Sequence, residues 1–394
     1  MPLEHPQFYL TEQTTPLKSY LFETLKRSGP MTFERYMQLC LYHPEFGYYM
    51  QDKERTGTGG DYFTSADLSP VFARLVAKQA AEMWDILERP DDFTWIEMGA
   101  GRGLFAQEFL AWTRARYPEF HQALKYVVVE PGPRPRERIQ KRLASIPSNP
   151  IQIAESLEEL KPVTGCFFSN ELVDALPIAV VTRVQGNLKE ICVKAEGDEL
   201  IETAGPISDS AIAAAVARYA NQLDEGHRAE VCLSAMRWIR SVAERLPRGF
   251  VLTIDYGDWA ERLFTSERPR GTLLAYRRHQ ATEDFYSRPG EADLTAHVNF
   301  SALVNEGAAA GLEFTGFTTQ ERFLMALGEE SQFSELYDEV QSEVDRIQAR
   351  LNLKRLLYPG EMDGPAGMGT IFKVLIQHRG VSAPMPTGLK FERT

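Results

Sequence analysis

The sequence predicts an α/β fold built on a parallel sheet with helices on both faces. Three observations carry this. Short apolar runs of strand length alternate with segments of helical apolar spacing. A glycine-rich loop in WIEMGAGRGLF, residues 95–105, joins one such run to a helix, and the next run, YVVVE, closes on an acid. With 394 residues, 43% hydrophobic and 25% charged, the chain exceeds one minimal domain, so a core with added lobes is expected.

Residues 1–70 read as an N-terminal cap segment. It holds a helix over Leu17–Arg27, the turn Ser28-Gly29-Pro30, a helix over Thr32–Tyr42, and the aromatic loops HPEFGYYM and GGDYFTSAD. Residues 71–182 form the first part of the core. A long helix over 71–89 leads to a buried strand over Phe93–Met98; Phe105, Phe109 and Trp112 share one face of the helix that follows. Further strands are expected at Tyr126–Glu130, Ile151–Ile153, Cys166–Ser169 and, later, Phe250–Asp255, with a helix over Arg136–Ala144. Residues 183–230 break the alternation. Apolar and polar residues alternate around Gly186-Asn187 and Gly197-Asp198, which predicts a hairpin meander, then a helix near Asp209–Leu223, and this insertion is read as a substrate lobe. Residues 231–394 complete the core, with a helix over Ser234–Leu246, a long surface connection over Glu261–Pro289, and Phe314–Thr319 and Thr370–Gln377 as paired strands flanking helices.

A net charge of −12 and a pI near 5.3 leave little attraction for phosphate backbones, so no nucleic-acid partner is expected. Cys40, Cys166, Cys192 and Cys232 show no paired ligand spacing, and the histidines show no HExxH pattern, so no metal site is expected. No apolar run reaches the ~18 residues that span a bilayer, which argues against membrane insertion. Unpaired cysteines, and a start (MPLEHPQFYL) without a secretory or transit pattern, lead to a cytoplasmic expectation.

A glycine-rich turn from strand to helix lets a ligand approach the backbone and meet a helix N-terminus. The dinucleotide pattern G-x-G-x-x-G fails on register, because the third glycine falls at Gly103 and Leu104 takes its slot. A Walker loop fails because no Gly-Lys-Ser/Thr follows. The arrangement E-x-G-x-G-x-G over Glu97, Gly99, Gly101 and Gly103 instead resembles the first motif of class I S-adenosyl-L-methionine-dependent methyltransferases. That cofactor carries no phosphate. It asks for backbone clearance, for Glu97 to help hold the ammonium end directly or through water, and for Glu130 to accept both ribose hydroxyls. Glu155 and Ser156 follow the third strand, where either an adenine contact or a helix cap would use them. FFSNELVDALP then places Asn170, Glu171 and Asp174 just past an apolar strand, at the carboxyl edge where such sheets bind ligands.

GPMTFERYMQLCLYHPEFGYYM, GDYFTSADLSPVFARL, EMGAGRGLF, SNELVDALP, LTIDYG, GTLLAYRRH, DLTAHVNFSAL and GFTTQERFL together resemble the MidA family over nearly the whole chain. These methyltransferase-like proteins include the mitochondrial complex I assembly factor that acts as a protein arginine methyltransferase. The resemblance implies a Rossmann-like class I methyltransferase sheet with an N-terminal cap and a β-rich and helical insertion lobe. It implies cofactor contacts at Gly99, Gly101, Gly103, Glu130 and Asn170, with Asp61, Thr64 and Ser65 of the GDYFTS segment closing over the site. Ala100, Gly132 and Asn299 depart from the family pattern; at Asn299 an aspartate is expected that could serve substrate binding. The implied activity is methylation of arginine on a protein partner, by extension a complex I subunit. A noncatalytic cofactor-binding assembly factor and a small-molecule methyltransferase remain the other readings. For an arginine acceptor, carboxylates that bond both edges of the guanidinium are needed, and Glu171, Asp174 and Asp255 are the candidates, with Tyr48, Tyr49 and Tyr256 as aromatic walls or as core.

Overall fold

The computed structural model describes residues 15–53, 55–57, 60–61, 64–65, 69–144, 146, 151–336, 342–358 and 368–390. Helix Pro16–Ser28 starts where Thr15 accepts from Lys18 N and stops at Gly29, whose φ of 76° suits a residue without Cβ. Its Leu17, Leu21 and Leu25 recur every fourth position and are buried. Strand β1 (Met31–Thr32) follows, and Thr32 caps helix Phe33–Tyr42.

Helix Pro70–Ile86 leads into β2 (Phe93–Met98), followed by helix Leu104–Arg116, β3 (Leu124–Val129), helix Pro133–Leu143, β4 (Gln152–Ala154) and β5 (Thr164–Asn170). Next come β6 (Ala179–Val184), β7 (Asn187–Glu196), β8 (Glu199–Gly205), helix Ser210–Tyr219, β9 (Arg228–Val231), helix Leu233–Arg245 and β10 (Arg248–Asp258). The chain ends through β11 (Leu274–Arg277), β12 (Gln280–Thr282), β13 (Asp293–Thr295), β14 (Val298–Asn299), helix Phe300–Ala309, β15 (Glu313–Thr319), helices Gln320–Glu329 and Glu343–Leu357, and β16 (Phe372–Arg379).

The principal sheet runs β15-β16-β10-β5-β2-β3-β4, with short β14 beside β10. Strands β4, β3, β2, β5 and β10 are parallel, while β16 runs antiparallel to both β10 and β15. The sheet is therefore mixed at one edge, as a Rossmann-like class I methyltransferase requires. Every residue of β2 is buried because helices cover both faces. Phe93 and Trp95 pack with helices Pro70–Ile86 and Leu104–Arg116; Ile96 and Met98 pack with helix Leu233–Arg245. Trp95 meets Phe109 and Phe168 at ring-centroid distances of 4.8 and 5.2 Å.

A second sheet, β1-β7-β6-β9 with β8 on β7, holds the predicted meander and also takes β1 from the N-terminal segment. Its first turn sits one residue earlier than expected, at Gln185-Gly186, with φ of 51° and 75°. The expected surface connection over Glu261–Pro289 is instead partly built in. Strands β12-β11-β13 form a small sheet through a hairpin at Arg278-His279, and Leu273, Ala275 and Phe285 are buried against helix Phe33–Tyr42 and its neighbours. Arg and Pro richness concealed those three apolar anchors.

Candidate active site

The carboxyl ends of β2, β3, β4 and β5 open into one cleft of about 1170 Å³, larger than the ~300–1,000 Å³ of ordinary small-molecule sites. There is room for a cofactor and a second reactant. Of the residues singled out in the sequence, Thr64, Gly99, Gly101, Glu130, Glu155, Ser156, Asn170 and Glu171 line it.

Gly99 continues the ladder by donating to Val129 O at 3.1 Å, and a Cβ there would stand 2.9 Å from Leu172. At Gly101, with φ of 53°, a Cβ would meet nothing within 4 Å. The loop thus presents bare backbone to open space on the cleft side. Glu130 Oε1 accepts from Gly132 N at 3.0 Å; burial pushes its carboxyl up to about 6 against that bond and the charges of Arg136 and Arg138. Asn170 Nδ2 donates to Glu171 Oε1 at 2.9 Å, while its buried Oδ1 has no hydrogen-bond partner among the described residues. Glu171 Oε1 also accepts from Ser65 N at 3.0 Å, and Glu171 adopts a left-handed φ of 54°. A glycine cradle, the largely buried Glu130 carboxylate at the cleft wall and an orphaned amide oxygen fit a ligand with hydroxyl and ammonium groups.

The remaining candidates lie outside the cleft walls. Glu97 shares the Trp95 face of β2, where it is 4% exposed, accepts from Tyr126 OH at 2.7 Å and is pushed by burial up to about 7. Strand alternation turns it into the core, away from a direct ammonium contact. Gly103 is the left-handed N-cap of helix Leu104–Arg116. Asp61 accepts from Tyr48 OH and Arg278 N and faces Arg55, so it joins the N-terminal segment to the Arg278-His279 turn. Ser65 is fully buried, its hydroxyl on Gln320 Oε1 at 3.1 Å. Tyr62 and Phe63 of GDYFTS, the segment expected to close over the site, lie outside the described residues.

Two of the three carboxylates proposed to grip the acceptor do not reach the cleft. Asp255 is fully buried, and its Oδ2 accepts from Leu172, Val173 and Asp174 N at 3.2, 2.8 and 3.3 Å, with Oδ1 taking Tyr256 N at 2.9 Å. Burial and the Asp174 charge push its carboxyl up, and the four N–H donors oppose that by favouring the carboxylate. Its oxygens are spent on the 171–174 turn. Asp174 is pushed by burial up to about 6 and accepts from Tyr256 OH at 2.5 Å. Glu171 alone of the three faces the cleft.

Sequence reasoning missed the wall from helix Leu233–Arg245 and the part of Tyr42, while Tyr49 was among its candidate aromatic walls. Helix Leu233–Arg245 contributes Ser234, Arg237, Trp238 and Ser241 at helical spacing, and Trp238 Nε1 sits 3.2 Å from Met98 Sδ. Tyr42 and Tyr49 line the cleft with centroids 5.6 Å apart; Tyr42 OH donates to Ala175 O and Tyr49 OH to Asp293 Oδ1. Tyr48 and Tyr256 do not line it. His297 is half-buried, and that burial pushes its ring down to about 4, so it stands uncharged near neutral pH. Asn299 Oδ1 accepts from Ala302 N and caps helix Phe300–Ala309, a task an aspartate would share.

Residues 75–318 match the sequence profile of the S-adenosyl-L-methionine-dependent methyltransferases grouped as Methyltransf_28. The chain belongs to this family. Family membership, the class I sheet and the fit of the cradle assign S-adenosyl-L-methionine as its cofactor. A crystal structure from Burkholderia thailandensis bound to S-adenosyl-homocysteine superposes with a TM-score of 0.83 at 27% identity, covering 100% of this chain and 99% of that one. The protein arginine methyltransferase NDUFAF7, mitochondrial, of Xenopus tropicalis is 27% identical over 345 residues, 79% of this chain and 75% of the relative. The Homo sapiens protein of the same name is 25% identical over 388 residues, 92% and 82% of the two chains.

These names overturn the cytoplasmic expectation, because the relatives are mitochondrial. Unpaired cysteines cannot distinguish one reducing compartment from another.

Proposed function

We propose that the chain transfers the methyl group of S-adenosyl-L-methionine to an arginine side chain of a protein partner, a complex I subunit being the candidate carried by the family resemblance. The observation that carries this reading is Glu171, held in the cleft wall by Ser65 N and Asn170 Nδ2 and flanked by Leu172 and Ala175. The names of the relatives from Xenopus tropicalis and Homo sapiens support the arginine acceptor.

Gly99, Gly101, Glu130, Glu155, Ser156 and Asn170 would hold the cofactor, which supplies an electrophilic methyl on a sulfonium. Glu130 would take the ribose hydroxyls and Asn170 the amino-acid end. Glu171 would bond the guanidinium edge, fix its plane and draw positive charge from the attacking nitrogen. Because two donors already orient that carboxylate, little reorganisation is required when the acceptor arrives. Tyr42 and Tyr49 would stack against the guanidinium face and keep water out. One proton leaves the attacking nitrogen, and Glu171 is the group in the wall placed to accept it.

The test incubates the purified protein with radiolabelled S-adenosyl-L-methionine and a lysate, followed by amino-acid analysis of labelled proteins. Labelled methylarginine is expected. Cofactor binding by calorimetry without any labelled protein would instead favour an assembly factor that binds without transferring.

A further inference from the structure

Ser65 is fully buried, and its main-chain N–H donates to Glu171 Oε1 at 3.0 Å, so a residue 106 positions away in sequence helps to set the carboxylate on which the proposed transfer depends. Glu171 needs such holding. Its φ of 54° is unfavourable for a residue with a Cβ and persists only where the surroundings over-determine it. Its own N–H donates to Ile254 O at 2.9 Å, which fixes the backbone but not the carboxylate. Of the donors to Oε1, Asn170 Nδ2 belongs to a side chain that would also meet the cofactor. The Ser65 N–H is main chain and cannot turn away unless the backbone around it moves.

What fastens that backbone is Gln320, from the GFTTQERFL stretch, which does not line the cleft. Strand β15 ends at Thr319, whose hydroxyl accepts from Arg322 N and starts helix Gln320–Glu329, so Gln320 leaves the sheet as the first helical residue and is 0% exposed. A fully buried amide is costly unless both of its ends are bonded. Gln320 Nε2 donates to Leu356 O at 3.3 Å, closing one of the carbonyls left open at the end of helix Glu343–Leu357. Its Oε1 accepts from Ser65 Oγ at 3.1 Å. The bonds run in one line from Leu356 through Gln320 and Ser65 to Glu171, and tie the cleft wall to the edge strand of the principal sheet.

We infer that Gln320 is a positioning residue for methyl transfer: through the Ser65 hydroxyl it fixes the Ser65 N–H, and with it the Glu171 carboxylate, in the orientation an acceptor meets. Its use in transfer rests on the arginine reading, whereas the positioning itself does not. An apolar side chain of the same length would fill the same space without ordering the serine. A loosened Glu171 has to be reordered at each turnover, which lowers kcat and leaves cofactor binding intact.

The test compares Ser65→Ala, which removes the hydroxyl alone, with Gln320→Met, which keeps the volume and removes both bonds, and with their double variant. Glu171→Ala sets the protection that remains when the acceptor of the Ser65 N–H is gone. Two readouts are taken on the full chain. One is hydrogen exchange resolved at the Ser65 amide and expressed as protection relative to the unfolded chain. The other is labelling of lysate proteins by radiolabelled S-adenosyl-L-methionine, read as kcat and cofactor KM. Both single variants are expected to lose about tenfold in protection and about tenfold in kcat with KM within about twofold, and the double variant to be no worse than Gln320→Met, because one bond is removed twice. A purely structural Gln320 gives a different pattern. Gln320→Met then lowers Tm and deprotects helix Glu343–Leu357, while Ser65→Ala keeps wild-type protection and kcat. That pattern overturns the proposal, as do single effects that multiply in the double variant. Ser65→Ala decides the matter even where Gln320→Met does not fold. A wild-type chain that labels no protein sinks the arginine reading, and protection at the Ser65 amide still decides the positioning.

Discussion

Glu171 combines a left-handed backbone with a carboxylate that accepts from Ser65 N and Asn170 Nδ2. If its role is to orient and neutralise the acceptor, Glu171→Gln keeps the shape but removes the charge. Transfer is expected to fall on the order of 10²-fold with cofactor affinity within a few-fold of wild type, measured by single-turnover labelling and calorimetry. Normal transfer would give the carboxylate another task. Gly101 is the complementary case: a Cβ there meets open space, so nothing in the protein forbids a side chain except the positive φ and the ligand. Gly101→Val should cost at least tenfold in S-adenosyl-homocysteine affinity, and calorimetry showing an unchanged value would move the ligand off the loop. If Glu130, raised to about 6, holds the ribose hydroxyls, it accepts them best when ionised. Cofactor affinity should therefore be level above about pH 7 and decline as pH falls through 6. In Glu130→Gln that pH step should vanish.

At the scale of the element, the 171–174 turn is held by one buried side chain on the neighbouring strand. Asp255→Ala would strand three successive N–H groups and Tyr256 N, an expected loss of about 2–4 kcal/mol in chemical denaturation, with transfer reduced through the displaced Glu171. Asp174 in the same turn responds to pH. Burial raises its carboxyl from 3.8 to about 6, so the folded chain binds that proton more tightly than the unfolded chain does. Its favourable contribution is full below about pH 4 and is lost as pH rises through 6. Asp174→Asn should melt like wild type near pH 4 and be more stable by roughly 1–3 kcal/mol above pH 7. The cap at Asn299 shows why a departure from a family pattern need not signal lost chemistry: an amide oxygen accepts from a helix N–H as well as a carboxylate does.

At the scale of the whole molecule, the cleft is assembled from segments remote in sequence: strand ends between residues 98 and 176, Tyr42, Tyr49 and Thr64 of the N-terminal segment, and the face of helix Leu233–Arg245. A ligand bridging them should stabilise the fold as a unit. At about 100 times its Kd, S-adenosyl-homocysteine contributes ~2.7 kcal/mol, which should raise Tm by a few degrees in calorimetric scans. No shift would place the cofactor elsewhere.

The local elements were legible in the sequence because their causes are local. Apolar periodicity marked β2 to its boundaries, the Gly99-Gly101-Gly103 spacing marked the turn after it, and YVVVE marked the strand that delivers Glu130 to the cleft. What only the tertiary structure decided was the use of each polar side chain. Glu97 and Asp255 stand beside sheet ends as Glu130 and Glu171 do, yet strand alternation and neighbouring N–H groups commit them to the interior. The wall from helix Leu233–Arg245 and the part of Tyr42 were equally hidden, and of the three tyrosines proposed as walls only packing selected Tyr49. An amphipathic pattern states that one face is covered, whereas packing alone states what covers it, since those contacts join residues more than a hundred positions apart.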